Sequence, residues 1–191
     1  NREELAELMV GRKVLLRVDK APAKTGKPVL TVEHLNFTDD SGVHRVKDVS
    51  FNVRSGEIVG IAGVSGNGQS ELLASITGIQ PLQKGQLKIN SETITPALRA
   101  DAADMRRFGM AHVPEDRQRF GLVTAFSADE NSILGYHNNS EYNGLIEMDR
   151  DAILSTCKHG MEHYDVRPNN HNLRVSLFSG GNQQKLVVAR E

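Results

Sequence analysis

The stretch from Glu57 to Gly78 commits the chain to one local architecture. Glu57-Ile58-Val59-Gly60-Ile61-Ala62 is a short apolar run rich in β-branched residues, the composition expected of a strand buried on both faces. Ser70 to Thr77 carries Leu72, Leu73 and Ile76 at helical spacing, and Gly78 stands where the helix would end. Between them, Gly63-Val64-Ser65-Gly66-Asn67-Gly68-Gln69-Ser70 fits the phosphate-loop pattern G-x-x-x-x-G-K-[ST] except at Gln69, where lysine belongs. A strand, a glycine-rich turn and a helix start together aim backbone N–H groups and the positive helix end at an anion. The expected nucleotide-binding set is Gly63, Val64, Ser65, Gly66, Asn67, Gly68, Gln69, Ser70 and Glu71, with the Ser70 hydroxyl offered to the Mg2+ that accompanies the phosphates. The competing reading is an ordinary glycine-rich connection.

The lysine-to-glutamine exchange has a bounded cost. A unit charge about 4 Å from a phosphate oxygen is worth roughly 4 kcal/mol at an effective dielectric of about 20, before solvent and magnesium discount it. Backbone contacts and Ser70 survive, so nucleotide binding is weakened rather than abolished, while the charge of a phosphoryl-transfer transition state loses a stabiliser.

A second anion site is written far downstream, in Leu177-Phe178-Ser179-Gly180-Gly181-Asn182-Gln183 and the apolar, partly basic segment that follows it to Glu191. A hydroxyl, two glycines and a helix beginning near Asn182 again direct N–H groups at a phosphate. In this order after a phosphate loop, the chain resembles the ATP-binding subunit of ABC transporters, whose LSGGQ signature reads FSGGN here. The resemblance implies that Phe178, Ser179, Gly180, Gly181, Asn182 and Gln183 complete the ATP site of a partner domain. Between the motifs, the run Val113-Pro114-Glu115-Asp116-Arg117 with Arg119 and Gly121-Leu122-Val123 is similar to the second ATP-binding domain of fused importers for simple sugars and nucleosides. Glu115 then falls in the lid loop, where most ABC domains carry glutamine. The nucleoside branch matches best, through GNGQSEL and VPEDRQ.

The resemblance covers residues 29–191 and implies an α/β fold: a P-loop NTPase (ABC ATPase) core with an antiparallel β subdomain and an α-helical subdomain, truncated before the Walker B strand. Residues 1–28 are expected to be the tail of a preceding domain and a linker, 29–114 the core with the phosphate loop, 115–178 the lid loop and helical subdomain, and 179–191 the signature and its helix. The implied ligands are ATP and Mg2+. The implied partners are a second ABC domain, fused N-terminally, transmembrane permease subunits and, indirectly, an extracytoplasmic solute-binding protein, which places the domain at the cytoplasmic face of the membrane. In the family, the magnesium aspartate, catalytic acid and switch histidine follow the signature helix, and no catalytic residue is expected within these residues. Leu15 to Asp19 and Ala111 to Asp116 imitate a Walker B strand, but the first precedes the loop and Pro114 interrupts the second.

Composition narrows the classes. A formal net charge of −1 gives no electrostatic case for nucleic acid. Cys157 is the single cysteine, which excludes an internal disulfide. No run approaches the roughly 18 apolar residues of a membrane span. Two rivals remain: a non-transport ABC ATPase of translation or DNA repair, and a small-molecule P-loop kinase using Asp116.

Elsewhere, Arg2–Val10 reads as a helix with Leu5, Leu8 and Met9 on one face, and Val14–Val18 as a short strand. Strands are expected at Val29–Leu35, Val46–Val53 and Gly85–Asn90, and helices at Pro96–Phe108, from Ser127 (a capping box with Glu130), and over Asp149–Tyr164 with Ile153, Cys157, Met161 and Tyr164 as its apolar stripe. No tyrosine lies between Thr38 and Arg45 to stack on adenine, which leaves His44 or Phe37, each equally readable as a surface or core residue. His159 and His163 stand at a metal-compatible spacing, with solvated histidines the simpler reading.

Overall fold

The computed structural model describes residues 21–144 and 146–191, together with Leu8. The helix expected over Arg2–Val10 and the strand over Val14–Val18 lie outside the described residues, Leu8 apart. Four antiparallel strands form one sheet in the order β2-β1-β3-β4: β1 Pro28–Thr38, β2 His44–Arg54, β3 Lys84–Ile89 and β4 Glu92–Ile94. Strict alternation fails in β1, where Val32 and Leu35, three apart, are both buried. His34, at φ 51, and Asp48 opposite, also at φ 51, bulge outward together and shift the register between them. Their side chains meet on the exposed side, His34 Nδ1 to Asp48 Oδ1 at 2.7 Å.

Helix α1, Gln69–Ile76, packs against this sheet with Leu72, Ser75 and Ile76 buried, and Gly78 follows at φ 73. Leu73, grouped with Leu72 and Ile76 by helical spacing, is 47% exposed. The core here joins Val32, Leu35, Val46, Leu72, Leu87 and Met105. Helix α2 occupies only Ala102–Arg107, not Pro96–Phe108. The reason is Asp101, whose carboxylate accepts from Ala103 N and Asp104 N, each at 2.9 Å, while Asp104 returns a bond to Asp101 N at 3.0 Å. A capping box fixes a start wherever it closes, and helix propensity upstream of it has no effect.

The expected strand Glu57–Ala62 does not form a ladder. The segment runs without regular structure from Glu57 to Val64, with Ile58 87% exposed and Ile61 48% exposed. A strand needs neighbours to pair its N–H and C=O groups, and none of the described strands flanks this run.

A helical part follows. Arg117–Gly121 is a single π-helical turn capped by Asp116, whose Oδ1 accepts from Gln118 N and Arg119 N, each at 3.1 Å. Helix α3 is Ala128–Ser132, α4 Arg150–His163 and α5 Gly180–Arg190. The expected cap at Ser127 is present: Glu130 Oε2 accepts from Ser127 N at 2.9 Å. Buried Asn131 bonds Val123 on both backbone atoms, at 2.9 and 3.0 Å, pinning the chain leaving the π turn to α3. Along α4, Ile153, Cys157 and Met161 are buried as expected, whereas Tyr164 is 38% exposed. Tyr164 is the C-cap, where the helix ends and its facing surface ends with it. Cys157, Met161, Val166, Val175, Phe178, Leu186 and Val187 form the core of this part.

Candidate functional site

The phosphate loop joins the unpaired Glu57–Ala62 run to α1. Gly66 and Gly68 adopt φ 86 and φ 97, and Gly68 lies so close to β2 that a Cβ there would overlap the Arg45 carbonyl. Space beyond Gly66 is open, and the loop is stitched across itself by Asn67 N donating to Val64 O at 3.1 Å. The Gln69 side chain folds back over the start of the loop, where a Cβ on Gly63 would overlap its Nε2. An amide therefore lies along the inside of the loop where the pattern calls for an ammonium. Ser70 is exposed in the first turn of α1, beside Glu71.

A cavity of about 650 Å³ opens between this loop and β2, lined by His44, Arg45, Lys47, Gly63, Gly66 and Gln69 among others. That volume lies within the usual range for small-molecule sites. Of the two candidates for adenine stacking, His44 reaches this cavity, while Phe37 is 7% exposed and belongs to the sheet core. The loop thus offers what a nucleotide triphosphate and its Mg2+ require of a protein: glycines where side chains would collide, an open face, the free N–H groups of a helix start and the Ser70 hydroxyl.

A second cleft of about 360 Å³ brings Ser70, Glu71 and Leu73 of α1 opposite His112, Pro114, Glu115 and Phe120. Glu115 therefore shares a cleft with the first turn of α1 although it lies 45 positions beyond Ser70. His112 is held below its ordinary pKa of 6.5, chiefly by burial, although Glu191 nearby favours its charged form.

The signature residues divide by direction. Ser179 caps α5, so the helix begins at Gly180 rather than near Asn182. Ser179, Gly180 and Gly181 are exposed, and Asn182 ties back with Nδ2 donating to Ser179 Oγ at 2.9 Å and Oδ1 accepting from Arg167 N at 2.8 Å. Phe178 and Gln183, 4% and 3% exposed, point inward. Gln183 Nε2 donates to Val175 O at 3.0 Å, and its Oε1 accepts from Gln118 Nε2 at 3.0 Å, so this side chain holds the turn in shape. Arg117 lies against Gly180, where a Cβ would stand 2.5 Å from its Nη2, and its Nε is buried without a hydrogen-bond partner. None of residues 178–183 lines either cavity beside the phosphate loop.

Sequence reasoning passed over the ion pairs around Glu191. Its side chain, 2% exposed, accepts from Arg106 at 3.0 Å, Arg190 at 2.8 Å, His112 N at 3.2 Å and Tyr136 OH at 3.0 Å. Burial alone would raise its pKa, but the bonds from Arg190, Arg106 and the His112 N–H outweigh that and hold the carboxyl below its ordinary value. Among the described residues, no group of three or more His, Cys, Asp or Glu side chains could hold a metal; His159 and His163 only stack, with centroids 6.1 Å apart. No helix of the described residues is long and apolar enough to cross a membrane.

The sequence profile of the ABC transporter family matches residues 46–191. The chain belongs to the ABC transporter family. The fold is accordingly the P-loop ABC ATPase fold, with an antiparallel sheet and a helical part. Among relatives of this ABC domain, the guanosine import ATP-binding protein NupO of Bacillus subtilis is 37% identical over 194 residues, covering 100% of this chain and 37% of its own length. The nucleoside import ATP-binding protein NupA of Lactococcus lactis is 40% identical over 189 residues, covering 99% of this chain and 37% of its own. The chain thus spans little more than a third of the length of these relatives. Among solved structures, a dimeric bacterial ABC transporter cassette aligns with TM-score 0.66 and 23% identity over 84% of this chain and 68% of its own. CbiO1 of Clostridium perfringens, part of an ABC transporter complex, aligns with TM-score 0.62 and 18% identity over 86% of this chain and 61% of its own.

Proposed function

We propose that this ABC domain binds ATP at its lysine-less phosphate loop and lends its signature to the ATP site of a partner ABC domain, helping to power the uptake of a nucleoside or simple sugar. The observation that carries the reading is the orientation of the signature. Ser179, Gly180 and Gly181 are exposed at the start of α5 and line neither cavity beside this domain's own phosphate loop. A phosphate-binding helix end that opens on neither of these cavities of the described residues is suited to a site completed by another chain.

In this reading the backbone of Gly63–Ser70 cradles the phosphates, Gln69 contributes hydrogen bonds without charge, and the Ser70 hydroxyl holds the Mg2+. Magnesium, when bound, neutralises charge on the β- and γ-phosphates. Ser179 and the first N–H groups of α5 orient a phosphate presented by the partner, and Gln183 and Arg117 keep that turn in register. Glu115 lies where it would sense occupancy, in the cleft it shares with Ser70 and Glu71. The exposed Glu57–Ala62 run, unpaired by the four described strands, is open to ladder partners elsewhere in the assembled protein.

The domain divides as 29–114, 115–178 and 179–191, preceded by a fused first ABC domain. It works at the cytoplasmic face of the membrane beneath permease subunits, with a solute-binding protein acting on the far side. The relatives named for guanosine and nucleoside import support the solute class.

The test is Ser179→Ala in the full-length protein assembled with its permease. ATP turnover is expected to fall by roughly tenfold or more while ATP binding at Gly63–Ser70 is kept. Undiminished turnover would refute the shared site.

A further inference from the structure

We propose that Arg45 supplies the positive charge that Gln69 withholds, acting as a phosphate-contacting residue of the nucleotide site. The proposal rests on the reading of the Gly63–Ser70 loop as an ATP site.

Strand β2 passes directly behind the loop. Gly68, at φ 97, has no room for a Cβ because the Arg45 carbonyl occupies it, so the side chain of Arg45 leaves β2 at the loop itself. Its Nη1 donates to Gly66 O at 3.3 Å. Its Nε donates to Asp39 Oδ2 at 2.7 Å, and Asp39 Oδ1 is in turn fixed by Ser41 N at 3.0 Å and Val43 N at 2.9 Å. The guanidinium is therefore held by one edge on a rigid carboxylate and turned toward the loop with the other. Of its five donors, these contacts use two. The Asp39 bond, and at longer range Glu71, raise its pKa above the ordinary value.

The cavity of about 650 Å³ beside the loop has both Arg45 and Gln69 in its wall. A planar, permanently charged fork suits a phosphate with two oxygens to offer, and needs no lysine at the pattern position. Lys47, two residues on, also lines the cavity, and its ammonium has no side-chain hydrogen bond or ion pair among the described residues. It contributes field without a fixed direction.

The experiment is photolabelling of the full-length protein with 8-azido-ATP, read on the peptide spanning residues 39–54 and competed with ATP or with AMP. In the unsubstituted protein, ATP is expected to compete better than AMP. Arg45→Gln should cost ATP roughly tenfold in competition, the size expected for a charge-assisted contact, and leave AMP nearly unchanged. Arg45→Lys should retain most of the ATP preference, Lys47→Gln should change it little, and Gln69→Lys should restore it in the Arg45→Gln background. An unchanged ATP preference in Arg45→Gln overturns the proposal, as does an equal loss in Lys47→Gln. If Arg45→Gln loses AMP competition as well, and Gln69→Lys does not restore ATP competition, Arg45 is structural and the proposal fails. A protein whose labelling ATP cannot compete would instead remove the ATP-site reading, and this proposal with it.

Discussion

Replacing Gln69 with lysine tests how much a charge matters at this loop, and the geometry sets the expected size. The Gln69 side chain already runs along the loop and ends over Gly63. A lysine following that path would place its ammonium against the same phosphate oxygens, one atom further along. At about 4 Å the interaction is worth roughly 1 kcal/mol in bulk water and about 4 kcal/mol at an effective dielectric of 20. Gln69 is half-buried, whereas Gly63, Ser65 and Gly66 are exposed, so the local medium lies between those limits. A gain of about 2 kcal/mol follows, or roughly a 30-fold tightening for ATP. AMP, which lacks the β- and γ-phosphates, should gain far less. In the empty loop the added ammonium stands near Arg45, so Gln69→Lys should also melt slightly earlier without nucleotide. Calorimetric titration of the full-length protein with ATP and with AMP measures both affinities. An ATP affinity changed by less than about threefold, or an equal gain for AMP, would refute the claim that the pattern position faces the outer phosphates.

Two further outcomes concern stability. Glu191 has its folded pKa held below the ordinary value of 4.5, so its contribution is present above that value and is lost as pH falls through the folded value. Thermal unfolding followed by circular dichroism should therefore show a loss below about pH 4.5 that is largely missing in Glu191→Gln. That substitution itself should cost about 3 kcal/mol at pH 7, because it leaves the buried Arg190 and the half-buried Arg106 without their counter-charge. Burial pushes the Cys157 thiol up to about 11. Iodoacetamide at pH 8 should leave it unmodified in the folded protein and alkylate it only on unfolding, as mass spectrometry of the intact chain would report.

What could be read from the residues was what neighbours in sequence decide. The Ser127 and Glu130 cap, the α4 stripe through Ile153, Cys157 and Met161, and the glycine spacing of the phosphate loop are each set within a few positions, and each is present. The failures have non-local causes. Glu57–Ala62 has the composition of a buried strand, yet pairing requires neighbours that the described residues do not provide. Helix α2 starts late because one carboxylate at Asp101 closes a cap that propensity does not register. The paired bulges at His34 and Asp48 break the alternation of β1, and β4, three residues long, is too short to leave a periodic signal. At the site, Arg45 reaches Gly66 across 21 residues of chain. That relation exists only once β2 has folded behind the loop, so no spacing rule could have found it.

Glu191 joins two bodies. Arg106 and His112 approach it from the sheet side, and Tyr136 and Arg190 from the helical side. Glu191 ends α5, so sliding one body past the other would break the bonds from Arg106 and the His112 N–H while those from Tyr136 and Arg190 travel with the helical side. Helix α5 runs from this pivot to the signature turn, a lever of roughly 16 Å at the standard rise per residue. A tilt of about 10° would sweep Ser179 through roughly 3 Å on a lever of that length, about the length of a hydrogen bond.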